Sequence, residues 1–155
     1  MKNSISYLFC LIIIGCTVPE SDKLPFGEGS RYPHLTKTHS GGLLVSWLEP
    51  IDSTTFGLYW SEFGKGNWSK PGLIYSSKDF FINWADFPSI FELNDSTLVV
   101  HWPEMSSTGT YDYDVKLAFS MDRGHSWSDP IIPHRDGKNA EHGFVSFYKD
   151  DKENL

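Results

Sequence analysis

Cysteine is scarce in this 155-residue chain, which has only Cys10 and Cys16. Both precede residue 17, so whatever folds after them has no disulfide to staple it and no thiolate for zinc or redox chemistry. Basic residues are also in the minority, 13 Lys and Arg against 20 Asp and Glu, for a formal net charge of −7. No basic patch interleaves with the aromatics, and a surface of this sign repels phosphate backbones, which argues against a nucleic-acid partner. Long hydrophobic runs are missing as well, because the apolar stretch Ile5 to Ile14 is too short to span a bilayer. Beyond the N-terminus no sustained helical period occurs. Aromatic residues, in contrast, make up 15% and hydrophobic residues 39% of the chain, ample material for packed sheets.

The N-terminal stretch has its own logic. Lys2 precedes Ile5 to Ile14, and Ile13-Ile14-Gly15-Cys16 closes the segment. That ending resembles a bacterial lipobox, which implies cleavage before Cys16 and a diacylglycerol on its thiol. Residues 1–15 are then a lipoprotein signal peptide and 16–30 a Pro-, Ser-, Asp-, Glu- and Gly-containing tether. The implied partner is a membrane, reached through the Cys16 lipid, and the implied location is the cell envelope. Thr17 offers no inner-membrane retention aspartate, which favours the outer membrane. An uncleaved anchor or an ordinary secretory signal is the alternative.

The most informative string is Ser120-Met-Asp122-Arg-Gly124-His-Ser-Trp127. Ser120 and Asp122 are able to fold their oxygens onto nearby backbone N–H groups, Gly124 to supply the positive φ of a tight turn, and Trp127 to pack beneath it. The string resembles the Asp-box, or BNR repeat, of sialidase-like β-propellers. In that family the box is architectural and lies on the face away from the active site.

A second copy lies upstream. Leu58 to Pro71 aligns without gaps to Leu117 to Pro130 at an offset of 59, with Phe63 in place of the box aspartate. Leu44 to Glu49 matches Val99 to Glu104, and Arg31 to Leu35 matches Asp86 to Ile90, both at an offset of 55, so four extra residues sit between Glu104 and Ser120. Each unit reads as four short strands, at about 32–38, 42–48, 55–61 and 68–75, then at 87–93, 97–102, 113–120 and 127–133. A third unit opens at about 143. The expected fold is all-β: an incomplete Asp-box propeller over 31–155, with blade one at about 31–75 and blade two at about 86–133. Six blades are implied for a complete protein, and the chain reads as an N-terminal fragment of one.

Alternating strand direction puts the first-strand starts and the loops between strands two and three on one face. Arg31, Glu49, Asp52, Asp86, Glu104, Asp112 and Asp114 share it, with His134, Arg135, Asp136, Glu141 and His142 added by the third unit. The sialidase resemblance implies that Arg31-Tyr-Pro33 is the Arg-Ile-Pro element, whose arginine grips a substrate carboxylate. It also implies an aspartate acid/base between this arginine and the first box, where Asp52 sits and Glu49 competes. Asp86, Arg135, Glu141, His142 and the neighbouring Trp84, a sugar-stacking platform, complete the substrate-binding set. Tyr111 and Tyr113 alternate as strand residues do and read as packing. His134, Asp136, Glu141 and His142 show no metal-ligand spacing such as HExxH, so neither a metal nor a cofactor is expected.

Two functions follow. One is a surface-anchored, sialidase-like exo-glycosidase acting on terminal glycan residues, whose tyrosine nucleophile and remaining arginines belong to later blades, leaving this chain inactive alone. The other is a non-catalytic Asp-box propeller that binds glycan or protein. Carboxylates at the mouth also keep a neutral-sugar hydrolase or lyase open.

Overall fold

Segments rich in Val, Leu, Ile, Trp and Tyr, separated by Gly, Ser and Asp turns, build two antiparallel sheets. The computed structural model describes residues 23–150. The expected signal peptide, Cys16 and the first part of the expected tether therefore lie outside the described residues. Among those described, no helix is long and apolar enough to cross a membrane.

The first sheet holds β1 (Arg31–Lys37), β2 (Leu43–Pro50) and β3 (Phe56–Gly64), with β4 (Asn67–Trp68) and β5 (Gly72–Ser77) both paired to β3. β4 and β5 are two stretches of one outer edge, interrupted at Pro71, which has no N–H to donate. The second sheet is the meander β6 (Ser89–Glu92), β7 (Leu98–Met105) and β8 (Tyr113–Ser120). Its expected fourth strand over 127–133 is reduced to backbone bonds between Ser128 and Phe119 and between Ile131 and Leu117. Pro130 and Pro133 flank Ile131 and withhold donors from a longer ladder. The third unit likewise forms no strand among the described residues. Its opening stretch pairs only through the parallel bridge of Glu141 with Tyr113.

The internal repeat is visible in the ladders. β2 and β7 begin and end 55 residues apart. Trp47 pairs with Tyr59 and Trp102 with Lys116, so the third strands are 57 apart rather than 59. Two of the four extra residues thus lengthen the loop before β8. The other two lie in the box hairpin, since Ser69 bonds Glu62 where Ser128 bonds Phe119. The ungapped match of Ser61 to Ser120 is corrected accordingly: Ser120 pairs with Leu98 as Phe63 pairs with Leu43.

The sheets face each other across a core of Leu44, Leu48, Leu58 and Trp60 from the first and Ile90, Leu98, Val100, Trp102 and Ala118 from the second. Tyr75 stacks on Trp102 at 4.8 Å. Inner strands run alongside one another: Thr36 Oγ1 donates to the Ile90 carbonyl at 3.1 Å, and Ser46 Oγ reaches the Pro88 carbonyl. Their starts therefore lie at a common end, where the site assembles.

Candidate functional site

The box end is built first by local bonds. Ser120 Oγ accepts from Gly124 N at 2.7 Å and donates to Asp122 Oδ1 at 2.8 Å, while Asp122 accepts from both Ser126 N and Ser126 Oγ. Those bonds, from Ser126 first and Ser120 next, hold the Asp122 carboxyl down at about 2. Arg123 and Gly124 have φ of 53° and 83°, matched by Lys65 and Gly66 in the first hairpin. Positive φ at both central residues is the two-residue turn whose twist suits antiparallel strands. Trp127 meets Trp60 edge-on at 6.4 Å. The Ser120 and Asp122 side chains are thus consumed in shaping the hairpin.

The opposite end lies one strand length away, about 3.3 Å for each residue of β8. Arg31 starts β1 opposite Leu48, beside an irregularity at Tyr32, whose φ is 53°. Its guanidinium lies over the Phe56 ring at 5.5 Å. Glu49 accepts from Gly27 N, Ser30 Oγ and Trp47 Nε1. Partial burial opposes its charge, but those three bonds outweigh burial and lower its pKa. Asp52 is exposed in the β2–β3 turn, where the N–H groups of Thr54 and Thr55 bring its pKa to about 2. A general acid needs the opposite shift. Trp84 is 80% exposed and free to meet a ligand.

Asp86, Tyr113 and Glu141 come together. β8 places Tyr113, fully buried and stacked on Phe81 at 4.0 Å, so that its hydroxyl donates to Glu141 Oε1 at 3.0 Å. Asp86 is buried at the same point, and a Cβ on Gly143 would overlap its Oδ2. Burial, then the Glu141 and Asp86 carboxylates, push the Tyr113 phenol far above its ordinary pKa. The phenol keeps its proton, which suits hydrogen-bond donation and positioning rather than nucleophilic attack. Tyr113 thus does more than pack.

Strand alternation sends Asp114 to the other side, and the bridge carries His142 with it: His142 N donates to Tyr113 O at 3.1 Å. There His134 and His142 stack at 3.8 Å, each with one ring nitrogen 3.3 Å from Asp114 Oδ1. His142 Nε2 lies 3.2 Å from Asp136 Oδ2, and Asp136 is the first cause of the raised His142 pKa. Arg135 is exposed and borders a hollow with Asp114, His134 and Lys138.

Between the inner strands and the stretch 144–147 lies a cavity of about 400 Å³. His34, Asp86 and His101 line it together with Phe87, Phe91 and Phe147. Asp86 Oδ2, His34 Nδ1 and both His101 ring nitrogens are buried there, Asp86 beside the Tyr113 hydroxyl and His101 beside the Val145 backbone, and none of the four atoms makes a well-formed hydrogen bond among the described residues. A buried polar atom left unpaired costs about 1–3 kcal/mol, so four such atoms around one hollow mark a place built to be filled. Burial, and secondarily His34, lower the His101 pKa to about 4. The ring is neutral at neutral pH, able to donate from one nitrogen and accept at the other.

This makes the first testable prediction. In the unfolded chain His101 titrates near its ordinary value of 6.5, and in the folded chain at about 4. The unfolded state binds the proton first, so stability falls as pH drops from the former to the latter. Histidine-resolved NMR is expected to show one imidazole unprotonated down to about pH 5, as the depressed value requires; His101→Gln removes that resonance and flattens the stability slope in this window.

Two of these residues were missed by sequence reasoning: His101, an unremarkable strand position, and Arg123, whose partners Glu62 and Glu92 lie far off in sequence. His34 lies inside the repeated stretch Arg31 to Leu35, which gives it no signal of its own. No protein-family model matches the chain, and no curated protein matches it.

Proposed function

We propose that the two sheets are successive blades of a sialidase-like Asp-box β-propeller. Its mouth takes up the terminal residue of a glycan, as in an exo-glycosidase exported as a lipoprotein and held at the cell envelope through Cys16. The cavity carries this proposal. Its unpaired Asp86, His34 and His101 atoms offer donors and acceptors to hydroxyl groups, and its aromatic walls suit the C–H faces of a pyranose. Box and mouth at opposite ends of β8 add support, since a structural hairpin is then kept apart from the ligand. The Asp86 carboxylate favours a neutral, hydroxyl-rich sugar over an anionic one.

Recognition without hydrolysis is the second reading, favoured by one observation: the Asp52 carboxyl is pinned in its turn at about 2 and has no proton to give at neutral pH. A glycan array, with fluorogenic sialosides and neutral glycosides assayed in parallel, tests both. The 155-residue chain is expected to retain a terminal sugar without turning it over. Asp86→Ala should weaken retention about 10- to 100-fold, the worth of a hydrogen bond to a charged group, and His101→Phe should abolish it by filling the cavity. In any longer form that hydrolyses a glycoside, Asp52→Asn distinguishes an acid from a turn residue. Absence of binding to every saccharide would refute the proposal.

A further inference from the structure

Asp114, His134 and His142 form a second cluster that the cavity does not use. Each offers one donor atom, and the three lie within 4.8 Å of one another. We propose that they bind a divalent zinc-type cation, through Asp114 Oδ1, His134 Nε2 and His142 Nδ1.

Geometry carries the assignment. A metal bonded to nitrogen and oxygen at about 2.0–2.1 Å in a tetrahedral shell sets those donors about 3.3 Å apart. Both histidine nitrogens lie 3.3 Å from the same Asp114 oxygen. Those two nitrogens are buried, yet neither has a hydrogen-bond partner among the described residues. Both nitrogens thus crowd one carboxylate oxygen without making a well-formed hydrogen bond to it.

Asp136 stands behind both rings and is within hydrogen-bond reach of His142. His142 Nε2 meets Asp136 Oδ2 at 3.2 Å, and His134 Nδ1 lies 3.6 Å from Asp136 Oδ1. A carboxylate behind a ligating imidazole fixes its orientation and raises its basicity, the usual support for a histidine–metal bond. The rings stack nearly parallel at 3.8 Å, so one imidazole has to turn about its Cβ–Cγ bond for both nitrogens to face one ion in their ring planes. The set has three protein ligands, and the hollow bordered by Asp114, His134, Arg135 and Lys138 leaves room for a fourth, a water or an anionic group of a bound molecule. Three ligands with an open position are the pattern of catalytic rather than structural zinc. The site is independent of the carbohydrate assignment, since none of its ligands borders the sugar cavity.

The test is titration of the tag-free 155-residue chain with zinc chloride by calorimetry, and with cobalt chloride by visible absorption. One equivalent of zinc and a tetrahedral cobalt band are expected. Asp114→Asn and His142→Asn should each weaken zinc by more than about 100-fold, Asp136→Asn by about 10- to 100-fold, and His125→Asn, in the box hairpin, not at all. No heat, or an Asp114→Asn chain that binds as the parent does, would overturn the assignment. Should the variants fail to fold, histidine NMR of the parent chain decides: one equivalent of zinc must move His134 and His142, and unmoved resonances refute the site.

Discussion

Gly124→Ala is expected to destabilise the fold by about 2–5 kcal/mol, combining the left-handed penalty of an L-residue with overpacking. The glycine has a φ of 83°, and a methyl group added to it would overlap the Trp60 indole. Trp60 belongs to the core between the sheets, which means that the hairpin of one repeat is seated on the third strand of the other. Neither part has slack: moving the turn breaks the Ser120 and Asp122 bonds, and moving the ring opens the core. Gly66→Ala is the comparison. Gly66 has the same φ, 83°, but nothing within 4 Å of an added Cβ, so it should pay the conformational penalty alone, about 1–2 kcal/mol. Denaturant unfolding of both variants measures the difference, and equal losses would show that the Trp60 contact contributes nothing.

Arg123→Met should cost about 2–4 kcal/mol, somewhat below the usual loss for breaking a buried ion pair because the guanidinium is partly exposed. Arg123 Nε and Nη2 grip the Glu62 carboxylate at 3.0 and 2.6 Å, and Nη1 reaches Glu92 Oε1 at 2.7 Å and the Asp95 carbonyl at 2.8 Å. One side chain of the box hairpin thus ties β3 of the first sheet to β6 of the second. Its loss leaves Glu92, whose side chain is only 3% exposed, with His39 as its remaining side-chain partner. Burial works against the Glu92 charge, but the His39 N–H and Arg123 outweigh it and hold its pKa below the ordinary value. A depressed carboxylate contributes stability above its unfolded pKa and loses it as pH falls through the folded one. The penalty of Arg123→Met should therefore shrink on acidification below about pH 4.5, the ordinary value for this carboxyl. A penalty that stays constant across that range would mean that the arginine acts through packing alone.

Much of the fold was legible because it repeats. An offset of 55 read from Leu44 to Glu49 and Val99 to Glu104 recurs in the bounds of β2 and β7. The box string announced its own hydrogen bonds, since Ser120, Asp122 and Gly124 act on neighbours within a few residues. What stayed hidden depends on partners distant in sequence. The strand expected over 127–133 looked sound by composition, but two prolines flank its bridge. The alignment of Ser61 with Ser120 placed all four extra residues in the loop, where the ladders divide them between two turns.

The site was legible in the same uneven way. Strand alternation was enough to put Asp86, Asp114, Glu141 and His142 at one end, because it needs only the direction of each strand. Their grouping was not visible. Asp114 and Asp136 flank the two histidines, whereas Glu141 turns to Tyr113, and that split follows from a single parallel bridge. His101 gave no signal, since a histidine in a run of valines is distinguished only by what fails to meet its nitrogens. The environment of Asp52 was equally beyond reach, depending on how the turn closes over Thr54 and Thr55.

The most direct measurement is histidine-resolved NMR of the chain titrated with mono- and disaccharides. Sugar recognition at the mouth predicts that His34 and His101 move together and saturate while His125 in the box hairpin stays fixed. If no saccharide moves them, or if His125 responds instead, the mouth is not the sugar site and the account of this end of the molecule fails.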